Sequence, residues 1–285
     1  MSVHAATVAI VKGDEPVDMV VEALGLIEAE KAFTSEERIL VKPNYIDASH
    51  PSTGNTTDAR VIEGTVRFLK QKGFSNIAIG EGSGLSDTMT AYRVAGVDEV
   101  AGRLGVELID LNKDEYLIVD VPNHLALERV RISKIALGSA IVSVPKLKPH
   151  RMAGVTLSLK NLMGVVMPKG QIHRHLSEKI ADLASVVRPR VSVVDGIIAG
   201  EGHETAGSPV KMDLVIAGLD PVAVDTVGAA VMGFDLLTAK HIALAAEKRL
   251  GICDLDRIRI LGKPIEDVKR EFSRSFSSRF MSRFA

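Results

Sequence analysis

The chain has no tryptophan, three tyrosines and a single cysteine, Cys253. One cysteine excludes a disulfide within the chain and any iron–sulfur cluster bound by this chain's cysteines alone. Scarce aromatics leave no stacking platforms for exposed bases, which sets nucleic acid back as a ligand. The longest near-apolar run, Ile135–Pro145, is too short to span a bilayer. The N-terminal residues show no charged stretch followed by an apolar core, so no secretory signal is expected and a cytoplasmic location is predicted. The net charge of −1 gives the whole chain no pull toward polyanions.

What is present is globular in kind. The 285 residues are 46% hydrophobic and 25% charged, enough to bury a full core without staples. β-Branched runs alternate with stretches of helical period. Residues 6–11, 38–43, 76–80, 106–110, 139–145, 190–195, 211–217 and 257–261 read as strands. Residues 17–33, 58–73, 88–105, 177–187, 221–232 and 239–250 read as helices. Thr56 or Thr57 is expected to cap the second helix and Ser177 the fourth, while Asp220 and Pro221 open the fifth. This alternation predicts an α/β fold with mostly parallel sheets flanked by helices. Helix and strand signals both lapse near 112–128, which suggests two lobes, 1–125 and 126–262, with an interlobe cleft and a tail over 263–285. Ligands of such folds sit beyond the carboxyl ends of the strands.

Charge is distributed unevenly. Between Glu128 and Glu178 there is no acid, yet Arg129, Arg131, Lys134, Lys146, Lys148, Arg151, Lys160, Lys169 and Arg174 all fall there, with His150, His173 and His175. A concave surface of one sign concentrates anions, and lysine supplies point charges for carboxylate or phosphate. The later part of the block is interleaved with glycine, proline, serine, threonine and asparagine after a predicted buried strand, the setting of a binding loop.

The segments VPKLKPHRMAGVTLSLKNLMG (144–164), GQIHRHL (170–176), RPRVSVVDGI (188–197) and GLDPVAVDTVGAAVMG (218–233) follow one another in order. LVKPN (40–44) and TTDARV (56–61) precede them. Together they resemble the DUF362 family, which has no assigned function, over roughly residues 38–235. Many members of that family carry a ferredoxin-like cysteine cluster, which this chain lacks. The stretch 141–170 is more distantly similar to the cleft segment of the nickel-pincer lactate racemases. In those enzymes an early histidine moves a proton, a lysine ten residues later carries the cofactor, and a late histidine binds nickel. Here His150 and Lys160 keep that spacing, and His173 or His175 stands in the late place. The glycine-rich, arginine-containing stretch before that family's lysine is replaced by VTLSL. The likeness therefore implies a two-lobed fold and a cleft position more than it implies the same cofactor, and a metal held through His173 or His175 stays open.

Candidate residues follow from these placements. Lys160, among apolar and hydroxyl neighbours, is a candidate base or covalent handle, since desolvation lowers a lysine pKa. His150, in the loop after a strand, suits proton transfer. Asp195 ends the strand VSVVD and completes the expected catalytic set. Lys146, Lys148 and Lys169 would neutralise ligand charge, with Asn161 beside them. His173 and His175 flank Arg174 and could form a metal-binding pair. The loop after Asp195 offers Glu201, His203 and Glu204. Lys42 and Asn44 end another strand. Glu81 and Ser83 sit among the alternating glycines 80, 82 and 84, which let backbone amides approach an anion.

The expected function is that of an enzyme acting on a small anionic substrate or cofactor, with proton transfer by histidine and lysine. A non-catalytic anionic-ligand binder serving a redox partner, and a nucleic-acid backbone binder, are the alternatives. In the tail, Phe272, Phe276, Phe280 and Phe284 recur every fourth residue among arginines, which predicts a basic amphipathic helix. It would dock on the protein's own body, on a second subunit, or on an anionic membrane surface or outside partner.

Overall fold

A computed structural model of the chain describes residues 6–274. Its strands are β1 (Ala6–Lys12), β2 (Arg38–Lys42), β3 (Ile77–Glu81), β4 (Glu107–Asp110), β5 (Tyr116–Asp120) and β6 (Arg129–Ser133). They continue as β7 (Ser139–Ser143), β8 (Lys148–His150), β9 (Gly154–Thr156), β10 (Val191–Glu201), β11 (Ser208–Gly218) and β12 (Ile258–Gly262). Eight of them form one sheet in the order β12-β1-β11-β10-β7-β2-β3-β4. Only β11 runs against its two neighbours, β1 and β10. The remaining pairings are parallel.

Parallel central strands are covered on both faces, so they read as unbroken apolar runs rather than alternating ones. β2 shows this: Ile39, Leu40, Val41 and Lys42 are all buried. Alternate residues still feed opposite faces. Ala9 and Val11 of β1 join a core with Val20 and Leu24 of helix Pro16–Leu26 and Val66 of helix Ala59–Gln71. Val8 and Ile10 join a second core with Ile180 of helix Leu176–Ala184 and Val227 of helix Pro221–Val231.

Strands from residues 1–125 and from 126–262 share the large sheet, so the boundary expected at 125/126 does not separate two sheets. It falls between β5 and β6, which pair with each other as one antiparallel hairpin. The lapse of signal near 112–128 marks this two-stranded ribbon rather than a linker. Exposed Leu117 and Ile118 blur the alternation that would have revealed it. A second hairpin, β8–β9, lies where a plain loop was expected.

Other departures are local. Asp58, not Thr56 or Thr57, caps helix Ala59–Gln71, accepting from Arg60 N. Thr57 instead accepts from Asn44 N and donates to Val144 O. Gly96, at φ 75°, splits the expected 88–105 helix in two. No side chain caps helix Leu176–Ala184 and Ser177 lies inside it, with His175 left-handed at the cap position. Asp220 caps the helix opened by Pro221, as expected. Among the described residues, no helix is long and apolar enough to cross a membrane. Most of the expected C-terminal helix lies outside the described residues; Phe272 lies outside any helix and is buried in the second core.

The sheet changes direction between β2 and β7. From β2 the chain winds to β3 and β4 on one side; β7 and β10 lie on the other. The carboxyl edge at such a switch point opens a crevice, because the flanking connections leave in opposite directions.

Candidate functional site

A cavity of about 410 Å³ lies at that edge. Lys42 and Glu81, the last residues of β2 and β3, are at its base. Asn44 and Tyr45 follow β2, and Gly82 and Gly84 follow β3. The β8–β9 hairpin supplies Lys148, His150 and Thr156, and the short helix Ser158–Asn161 supplies Lys160 and Asn161. Arg151, Lys169, His173, His203, Glu204 and Thr205 complete the polar lining. Five cationic side chains thus face two carboxylates.

The base is a closed hydrogen-bond network. Lys42 Nζ donates to Glu81 Oε2 at 2.9 Å and to Asn161 Oδ1 at 3.1 Å. Glu81 also accepts from Tyr45 N and Gly82 N. Asn161 Nδ2 donates to Lys42 O and Ser143 Oγ, which ties β2 to β7 across the switch point. Asn44 Nδ2 donates to Asn161 Oδ1 at 3.3 Å, leaving its own Oδ1 without a partner among the described residues. Burial lowers the Lys42 pKa, and the Glu81 charge opposes that shift. Gly164 sits against this pair: a Cβ there would fall 2.6 Å from Lys42 Nζ. Any larger residue would force the network apart.

The cations nearer the mouth are differently served. Lys148 Nζ donates to two carbonyls, Asn55 O at 2.6 Å and Glu204 O at 2.9 Å. Burial, then repulsion from Lys160, brings its pKa down to about 7. Lys169 Nζ donates to Gly164 O at 3.2 Å, and burial lowers it to about 8. Lys160 makes no hydrogen bond or ion pair within 4 Å among the described residues. Burial lowers it to about 8; Glu204 opposes the shift and Lys42 adds to it.

Lys160 is held in place from beneath. Asp225, wholly buried in helix Pro221–Val231, accepts from Ser158 N at 2.7 Å and Leu159 N at 2.9 Å. Its carboxylate therefore fixes the turn that carries Lys160 and Asn161. Burial raises the Asp225 pKa to about 8, against those two bonds. Asp225 lies in the GLDPVAVDTVG motif but escaped sequence reasoning, since nothing in its spacing says which turn it meets.

Ten of the expected site residues line the cavity: Lys42, Asn44, Glu81, Lys148, His150, Lys160, Asn161, Lys169, His173 and His203. Five do not. Asp195 and Lys146 are wholly buried and paired with each other at 2.8 Å outside the cavity lining. Asp195 also accepts from Asp58 N and Ile197 N, so every contact it makes is a structural tie. Glu201 accepts from Ser273 N at 2.7 Å and anchors the segment after residue 268 instead of facing a ligand. Ser83 is buried behind Gly82 and Gly84, with its carbonyl accepting from Asn112 Nδ2. His175 does not join His173 in the lining. Among the described residues, no group of three or more His, Cys, Asp or Glu side chains is arranged to hold a metal ion. No metal step is derived through His173 or His175.

Glu204 is the lining residue that sequence reasoning undervalued. It was visible in its loop, but only the fold brings it beside His150 and Arg151. Its Oε2 accepts from Arg151 N at 3.1 Å. Tyr45 and Thr156 also line the cavity, and each keeps a buried hydroxyl without a partner among the described residues.

Comparison with known proteins identifies the chain at the level of family. A curated relative, the thylakoid-associated protein sll1697 of Synechocystis sp. (strain ATCC 27184 / PCC 6803 / Kazusa), is 26% identical over 228 residues. That match covers 76% of this chain and 68% of the relative. The model of a domain of unknown function, DUF362, matches residues 39–230, which span β2 through helix Pro221–Val231 and so nearly every residue of the cavity lining. The chain therefore belongs to the DUF362 family.

Proposed function

We propose that this chain is an enzyme that binds a small carboxylate or phosphate in the cavity and moves a proton to or from it through Lys160. The observation that carries this reading is the state of the Lys160 ammonium. Lys42, Lys146, Lys148 and Lys169 each have a carboxylate or carbonyl partner, and Lys160 alone among these lysines has none among the described residues. A cation held in a partly desolvated place without a partner is costly, and an anionic ligand would repay that cost. With a pKa of about 8, Lys160 also exchanges its proton near neutral pH, where general acid–base catalysis is most effective.

Two measurements test the reading. Calorimetric titration with sulfate, whose charge is fixed near neutral pH, should show binding that Lys160→Ala abolishes while the circular dichroism spectrum stays unchanged. Wild-type affinity in that variant would remove Lys160 from the site. Incubation in D₂O with a panel of small carboxylates and phosphate esters, read by proton NMR, should reveal a C–H bond that exchanges with wild type and not with Lys160→Ala. Sulfate binding without exchange of any panel member would leave a ligand carrier and sink the enzyme.

A further inference from the structure

The imidazole of His150 is held in one tautomer by its own turn. Its Nδ1 accepts from the backbone N–H groups of Met152 and Ala153, each at 3.1 Å. A ring nitrogen that accepts carries no proton, so the single proton of the neutral ring sits on Nε2. Nε2 is 3.9 Å from Glu204 Oε1, beyond hydrogen-bond reach. The side chain lines the cavity at 12% exposure. Lys160, Lys148, His241 and Arg151 oppose a positive charge on it. Burial first, and then those neighbours, hold its pKa well below the ordinary histidine value.

We propose that His150 serves the ligand as a neutral Nε2–H donor and not as a proton acceptor, so that the ligand offers it an unprotonated carboxylate, phosphate or carbonyl oxygen. This rests on the anion-binding reading of the cavity. Accepting a proton at Nε2 would require a lone pair there, hence a proton on Nδ1. That proton would point at two N–H donors and cost both of their bonds. The labour therefore divides. Lys160 exchanges the proton, and His150 steadies the oxygen on which negative charge resides or grows. A neutral donor suits that task because it is already in place and need not be charged first.

Nitrogen-15 NMR of histidine-labelled protein tests the tautomer without any ligand, with His150 assigned by its loss in His150→Gln. The expected result is protonated Nε2 and unprotonated Nδ1 from about pH 5.5 to 8.5, through the range where a free histidine titrates. A protonated Nδ1, or imidazolium forming near pH 6.5, would overturn the proposal. Sulfate titration then tests the donor role. His150→Gln keeps an N–H donor and is expected to hold affinity within about threefold, whereas His150→Ala should lose about tenfold, the worth of one bond to a charged group. Equal losses in the two variants would overturn the donor role even if the tautomer is as stated. Wild type that binds no sulfate would instead overturn the anion site, and with it the ligand-facing part of the proposal.

Discussion

Lys146 and Lys160 come from the same acid-free stretch and meet opposite fates. Lys146 is wholly buried, and Asp195 from β10 closes on it at 2.8 Å. Its neighbour Lys148 turns the other way along the chain, into the cavity. Lys160 rides a turn pinned by Asp225, and among the described residues no carboxylate lies within 4 Å of its ammonium. The comparison separates two uses of a buried cation. A paired one ties strands together, and removing its partner should cost stability. An unpaired one costs stability, and on the proposed reading an anionic ligand offsets that cost. A third group from the stretch does neither. Arg129 and Lys134 pair with Asp120 and Glu115 on the exposed β5–β6 hairpin.

The largest effect that would break this comparison is at Asp195. Asp195→Ala strands the Lys146 ammonium in the interior and removes the acceptor for Asp58 N, so a loss of about 3–5 kcal/mol in urea unfolding is expected. A loss below about 1 kcal/mol would show that Lys146 is not tied as described.

The second test uses pH. Lys160 and Lys148 have folded pKa values of about 8 and about 7, against an ordinary value of 10.5. Between those limits the unfolded chain binds protons that the folded chain does not, so stability rises with pH. Below about pH 7 both groups are charged in both states, and their unfavourable contribution is fully present. Lys160→Met should therefore flatten the rise in urea midpoint between about pH 7 and pH 9.5. An unchanged slope would mean that Lys160 is better solvated than its surroundings imply. Sulfate affinity of the wild type should fall over the same range as the ammonium is lost.

The smallest effect belongs to the hairpin. Arg129→Ala and Lys134→Ala should each shift stability by less than about 1 kcal/mol and leave sulfate affinity alone, because exposed ion pairs contribute little. A drop in affinity for either would spread the anion site beyond the cavity.

Much of the fold was legible. The large-sheet strands were anticipated because buried parallel strands leave short apolar runs rich in β-branched residues, such as ILV at 39–41 and AIV at 140–142. The hairpins were not, because β8 and β9 have three residues each and β5 exposes leucine and isoleucine. Most of the candidate site was legible too, since Lys42, Glu81 and Lys148 stand at strand ends and Lys160 lies on a short helix just after one. Asp195 misled because the strand expected to end there runs on to Glu201, which leaves Asp195 in the middle of β10 against buried Lys146. Glu204, Tyr45 and Asp225 carry no local sign of their roles.

By itself the sequence determined the alternation of strands and helices, the absence of cross-links, and the stretch from which acids are missing, because these are properties of neighbours along the chain. Tertiary structure decided which lysine is neutralised, which nitrogen of His150 keeps its proton, and which loop carboxylate reaches the cavity. Those outcomes depend on atoms separated by tens of residues and brought within about 3 Å, where hydrogen bonds and desolvation act.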